Sequence, residues 1–227
     1  MTFEEIIAKL PTPYYKDDAV AIYHADCREI LPLIPDKSID LVLTDFPYGN
    51  ETDYGTYLDT QDNLKELIRD MMPPILGVGK VSLVACGIGN MFSYPIPDWV
   101  LSWYWLNTAS GSSQWGFNTW QPILAYGKDP YLTNNMGRRQ DSYLCRIPVG
   151  KDNFCHPCPK PDAVWSWFIT RGSISNTDLI LDPFLGSGTT AYCAKKLGRK
   201  CIGIEIEERY CEISAKRCSQ SVMRLEV

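Results

Sequence analysis

Five short segments of the chain are nearly unbroken in Val, Ile, Leu and Ala: "AVAIYHA" (19–25), "IDLVLTD" (39–45), "KVSLVAC" (80–86), "DLILDPF" (178–184) and "KCIGIEI" (200–206). A strand with one wet face alternates apolar and polar residues, so near-continuous runs of this length predict strands covered on both faces. Between them lie stretches of helical character, "NLKELIRDMM" (63–72), "TTAYCAKKLG" (189–198) and "ERYCEISAKRC" (208–218), with Gly198 placed to stop the second. Strand and helix in alternation predict an α/β domain with a mainly parallel sheet. Residues 102–153 depart from this pattern, being rich in Trp, Tyr, Asn, Gly and Ser and weakly periodic. A hairpin around "WQPILAYGK" is expected there, giving the sheet one antiparallel edge strand. The polar stretch "NETDYGTYLDTQDN" (50–63) reads as a mobile flap.

Length changes this picture little: 227 residues suit a single domain over 1–227, with 102–153 as a less regular segment within it. No apolar run approaches the ~18 residues of a membrane span. The opening "MTFEEIIAKL" is acidic and amphipathic, unlike a signal peptide, so a cytoplasmic protein with no membrane partner is expected. The nine cysteines lack the spacing of a disulfide framework and are expected as reduced thiols. Cys155 and Cys158, with His156 between them, have zinc-like spacing, but a second pair is missing and no metal is expected.

Charge is more informative in its distribution than in its sum of −5. Residues 1–127 carry 7 Lys/Arg against 16 Asp/Glu, whereas residues 128–171 carry 7 against 4. A polyanion would therefore dock on the middle segment, where Arg138, Arg139, Arg146 and Lys151 are the candidate contacts.

The candidate chemistry begins with "LILDPFLGSGTT" (179–190): a strand, an acid, a glycine-rich turn and a helix start. Gly186 and Gly188 fall where the backbone turns sharply and approaches a ligand, and Ser187 and Thr189 lie beside the positive end of the following helix. Asp182 ends the strand. The next strand ends at Glu205, where an acid accepts hydrogen bonds from ribose hydroxyls in nucleoside-binding βαβ units. A phosphate-binding P-loop requires GK[ST], and GSGTT has no lysine. A dinucleotide fingerprint would put its third glycine at Ala191, and an acid so near a pyrophosphate is unusual. "CGIGNM" (86–91) also follows a strand but lacks the third glycine and reads as a decoy turn. Paired acids suit a ligand with hydroxyls and a cationic amine and no phosphate, a description that S-adenosyl-L-methionine meets.

Three motifs then converge. "DPFLGSGTT" matches the D-x-F-x-G-x-G cofactor motif of amino-methylating DNA methyltransferases, "DFPY" (45–48) resembles their D-P-P-Y catalytic motif, and "HPCPKP" (156–161) resembles an H-P-x-x-K-P element. Their order resembles that of the permuted group of the family, with the catalytic motif before the cofactor motif. The resemblance spans residues 20–50 and 155–215. It implies a Rossmann-like S-adenosylmethionine-dependent methyltransferase fold and double-stranded DNA as partner, in a bacterial or phage restriction-modification setting.

Carried onto these residues, the resemblance gives Asp45 and the backbone carbonyl of Phe46 the role of accepting protons from an exocyclic amine. Pro47 would stiffen the turn and Tyr48 would stack on a flipped base. Phe46 is the departure, since the family usually has proline there. Asp26 resembles the acid that meets the cofactor's adenine, although a helix N-cap for "CREILPLI" explains it equally well. Lys160 would approach the cofactor's carboxylate, and Phe184 would pack against the cofactor or under the loop. Asp at the head of the motif leans towards N6 of adenine. N4 of cytosine and a catalytically silent DNA-binding module are the alternatives. With only 102–153 left to read DNA, a short target, a partner or a homodimer is expected.

Overall fold

The computed structural model describes residues 1–105, 112–113, 115–145 and 160–220. Helix α1 (Phe3–Ile7) starts on a capping box between Thr2 and Glu5. The chain then forms β1 (Tyr15–Lys16), β2 (Val20–His24), α2 (Cys27–Ile30) and β3 (Ile39–Asp45). A small hairpin, β4 (Thr52–Asp53) and β5 (Leu58–Asp59), precedes α3 (Gln61–Val78) and β6 (Gly79–Ala85). Next come β7 (Trp99–Trp105), the short pair β8 (Ser112–Ser113) and β9 (Gly116–Phe117), and β10 (Trp120–Tyr126). Helix α4 (Pro130–Thr133) and β11 (Ser142–Cys145) complete the middle of the chain. The last third alternates α5 (Asp162–Gly172), β12 (Leu179–Asp182), α6 (Thr189–Lys196), β13 (Lys200–Glu205) and α7 (Glu208–Ser219).

Among the described residues, nine strands make one sheet in the order β1-β2-β13-β12-β3-β6-β10-β7-β11. The five from β2 to β6 run parallel, in the segments where the sequence is continuously apolar. Along β3, Val42 enters the core on one face while Leu41 and Leu43 enter the core on the other. All three are fully buried, and each contributes about 1.5–3 kcal/mol. Helices α2 and α3 cover the first face; α5, α6 and α7 cover the second.

Two expectations change. The helix predicted over 63–72 runs on to Val78 through Pro73 and Pro74. Met71, Met72, Ile75 and Val78 stay on one buried face, and their burial outweighs the hydrogen bonds that two prolines remove. The "WQPILAYGK" strand, β10, is antiparallel as expected but lies inside the sheet, paired with both β6 and β7. The irregular segment thus lends three strands, β7, β10 and β11, to one end of the main sheet.

The strand order reverses between β12 and β3. From β12 the chain crosses through α6 to β13 on one side; from β3 it crosses through α3 to β6 on the other. A crevice opens at such a switch point, outside the carboxyl ends of the strands. The register Ile180↔Leu41 and Leu181↔Val42 brings Asp182 and Asp45, the last residues of β12 and β3, to that edge.

Candidate active site

A pocket of about 360 Å³ lies at the switch point. Its walls come from both distant segments: Asp45, Phe46, Pro47 and Tyr48 on one side, and Asp182, Phe184, Gly186, Ser187, Thr189 and Glu205 on the other. Asp26 and Lys160 also border it. The structure therefore brings together nearly all of the residues expected at the site.

The glycine loop is shaped by backbone requirements. Gly186 (φ 53°) and Gly188 (φ 80°) both adopt the left-handed region that side chains disfavour. A Cβ at Gly188 would also lie 2.8 Å from the Cβ of Ser214 on α7, so the helix beneath forbids one. The Ser214 hydroxyl in turn donates to the Gly186 carbonyl at 2.8 Å. Glu205 holds the loop from the other strand: its Oε2 accepts from the Gly186 N–H at 2.7 Å and its Oε1 from the Glu207 N–H at 2.8 Å. Burial raises the pKa of this carboxyl.

Asp182 is buried beneath the loop. Its Oδ1 accepts from the Thr44 hydroxyl (2.8 Å) and the Phe184 N–H (3.1 Å), and its Oδ2 from the Thr190 hydroxyl (2.5 Å). Desolvation pushes its pKa up to about 6 against the opposing pull of those donors. Asp26 caps α2 by accepting from the Arg28 N–H at 2.9 Å and pairs with the Arg28 guanidinium at 3.0 Å, while still bordering the pocket. Capping and pocket lining thus coexist in one side chain.

At the other corner, Phe46 does by packing what a proline would do by its ring. Its side chain is buried edge-on against Tyr94 (centroids 5.5 Å apart) and Phe184 (4.6 Å), tying the catalytic-type turn to the glycine loop. Tyr48 donates a short hydrogen bond to Asp45 Oδ1 and accepts from Gln121 Nε2 at 2.7 Å. Burial, then the adjacent Asp45, hold the pKa of its hydroxyl well above the ordinary value, so it remains a donor. Lys160 does not stand free in the pocket: its ammonium lies 2.6 Å from Asp45 Oδ2 and donates to the Tyr48 hydroxyl at 3.0 Å.

Several residues that shape this corner gave no signal in the sequence. Asp59, from the stretch expected to be a mobile flap, is fully buried. Its carboxylate accepts from the N–H groups of Tyr48 (2.9 Å) and Gly49 (2.7 Å), fixing the turn. The stretch forms the β4–β5 hairpin, and its Thr56 donates through both N–H and hydroxyl to Glu207 at 2.7 Å. "CGIGNM", read as a decoy turn, lies under the catalytic-type tyrosine. A Cβ on Gly87 would come within 3.3 Å of Tyr48 Cδ1, and Asn90 Nδ2 donates to the Tyr48 carbonyl at 2.6 Å.

The basic candidates are not gathered at the crevice. Arg138 and Arg139 line a second cleft of about 490 Å³ with Trp99, Tyr126, Lys128 and Arg171. Tyr126 ends β10, which runs antiparallel to β6, and Trp99 begins β7, which runs antiparallel to β10 and so parallel to β6. Both residues therefore lie at the amino end of β6, and the cleft lies towards the end of the sheet away from Asp45. Arg146, Lys151 and the Cys155–His156–Cys158 cluster lie outside the described residues. No group of side chains able to hold a metal occurs among the described residues.

A pocket bordered by the carboxylates of Asp26 and Glu205 and by loop backbone fits a ligand with hydroxyls and amines. Tyr57, also in its wall, has a buried hydroxyl with no partner among the described residues, available to a bound polar group.

The similarity to known proteins agrees with this chemistry. A family model for N6/N4 methyltransferases, described as DNA methylase, matches residues 109–216. The type II methyltransferase M2.LlaDCHI of Lactococcus lactis subsp. cremoris is 48% identical over 251 residues, spanning 92% of each chain. Type II methyltransferase M.ScaI of Streptomyces caespitosus is 27% identical over 270 residues, 97% of this chain and 88% of its own. Among solved structures, PvuII DNA methyltransferase (cytosine-N4-specific) shares the fold with a TM-score of 0.69 at 18% identity, over 91% of this chain and 88% of its own. The M1.HpyAVI–SAM complex does so with a TM-score of 0.64 at 23% identity, over 88% and 99%.

Proposed function

The chain belongs to the N6/N4 amino-methylating DNA methylase family, and from that premise we propose that its acceptor is the N6 amine of adenine in double-stranded DNA. It is an S-adenosylmethionine-dependent DNA amino-methyltransferase of the Rossmann-like class. The observation that carries the reading is the meeting of Asp45, at the end of β3, with the glycine loop after β12 in one pocket. The choice of adenine rests on the aspartate that heads the "DFPY" motif.

S-adenosylmethionine supplies an electrophilic methyl group on a sulfonium centre. The protein's task is to make a poor nucleophile attack it. An exocyclic amine has its lone pair delocalised into the ring, and attack requires the nitrogen to pyramidalise. Asp45 and the Phe46 carbonyl would accept the two N–H groups and so favour that geometry. Asp59 holds the turn through backbone N–H groups, and Phe46 anchors it in the core, which is the preorganisation such a role requires. The Tyr48 ring would stack on the extruded base, worth about 1–3 kcal/mol against a flipping cost of a few kcal/mol. On the cofactor side, Glu205 would accept from ribose hydroxyls while bracing the loop, and Asp26 would meet the adenine.

Incubation with tritiated cofactor and plasmid DNA, followed by nucleoside mass spectrometry, tests the proposal. N6-methyladenine is the expected product. N4-methylcytosine would transfer the same site to the other base, and unlabelled DNA of every sequence tried would overturn the reading.

A further inference from the structure

The Lys160 ammonium sits where an acceptor amine would be received. It lies 2.6 Å from Asp45 Oδ2, donates to the Tyr48 hydroxyl at 3.0 Å, and its side chain is only 12% exposed. We infer that Lys160 holds the acceptor seat in the DNA-free enzyme and gives it up when the target base enters. This rests on Asp45 being the partner of the target amine.

Charge decides between this and a permanent ion pair. As the methyl group is transferred, the acceptor nitrogen takes on positive charge until it releases a proton. A carboxylate can accept several hydrogen bonds, but a fixed ammonium at the same oxygen opposes a second cation forming there. Lys160 in place is therefore suited to the resting enzyme and ill suited to transfer. An ammonium N–H and an amine N–H are also alike to the oxygen that receives them. Asp45, its side chain 23% exposed, is thus kept paired and oriented while no base is present.

The hydrogen bonds of Tyr48 fit such an exchange. Its hydroxyl has one proton and two lone pairs, and all three are engaged: the proton on Asp45, the lone pairs by Gln121 and Lys160. When Lys160 withdraws, Asp45 and Gln121 still hold the ring. Gln121, from β10, is the anchor that stays, and Lys160, which precedes α5, is the one that leaves.

The cost of displacing Lys160 falls only on complexes with a base in the pocket, whereas any contact of its charge with phosphates is common to all DNA. The test compares two duplexes that differ only at a methylation site mapped with the wild-type enzyme, one with the target base and one abasic. Dissociation constants are measured in the presence of S-adenosylhomocysteine for the wild type, Lys160→Met and Lys160→Gln. Thermal melting and cofactor binding confirm that each variant is folded. For the neutral variants the preference for the base-containing duplex should rise by about fivefold or more over the wild type. An unchanged or reduced preference would overturn the inference, while methylation by the wild type would leave the reading of Asp45 standing.

Discussion

The Thr44 hydroxyl on β3 donates to Asp182 Oδ1 on β12 at 2.8 Å, joining residues 138 positions apart immediately beneath the crevice. Thr44 precedes the catalytic-type aspartate and Asp182 precedes the glycine loop. This buried contact, with the β3–β12 pairing and the Phe46–Phe184 contact, holds the two halves of the site against each other. Because Asp182 also accepts from Phe184 and Thr190, the same carboxyl sets the loop's shape and its position.

That carboxyl should give stability a recognisable pH dependence. Its pKa is pushed up to about 6 in the folded chain from an ordinary 3.8, so the folded state binds the proton more tightly. The stabilisation is fully present below about pH 4 and is lost as pH rises through 6, an effect on the order of 3 kcal/mol. Chemical unfolding of the wild type and Asp182→Asn between pH 4 and 7 would reveal it. The wild type should lose stability relative to the variant over that interval, and parallel curves would refute the assignment.

Asp59 should matter both to stability and to turnover. Removing its buried carboxylate strands the N–H groups of Tyr48 and Gly49. Asp59→Ala is expected to cost about 3 kcal/mol in urea unfolding. At temperatures where the variant remains folded, methyl transfer should fall at least about tenfold, because the turn carrying the Phe46 carbonyl is no longer held.

Glu205→Ala should weaken S-adenosylmethionine binding by about 1–3 kcal/mol, read by titration calorimetry. Unchanged affinity would restrict Glu205 to bracing Gly186 and remove it from the ribose.

The parallel half of the fold was legible because its signals are local. Runs such as "IDLVLTD" can satisfy their apolar residues only between two layers, and "GSGTT" can turn only with glycines at its two left-handed positions. The supporting residues were not legible, since their roles exist only across the fold. Asp59 stands in a polar stretch with the spelling of a loop, and nothing near it in the chain reveals the two N–H groups it receives. Gln121 lies within an apolar strand with no mark of a site, and only its place beside β6 brings it to Tyr48. Helix α5 did carry a signal, with Val164, Trp165, Phe168 and Ile169 at helical spacing and all buried, but the irregular chain before it obscured the pattern. Charge in the sequence did not reveal its surroundings: Arg138 and Arg139 form a basic pair in the chain, and Asp98, Asp129 and Asp141 line the same cleft.

The convergence of the two motifs on one reaction is tested most directly by Asp45→Ala, with equilibrium cofactor binding and single-turnover methyl transfer measured on the same preparation. Binding should persist, because Glu205 and the glycine loop are untouched, while transfer to DNA should fall at least ~10²-fold. Near-normal transfer by the variant would contradict the account.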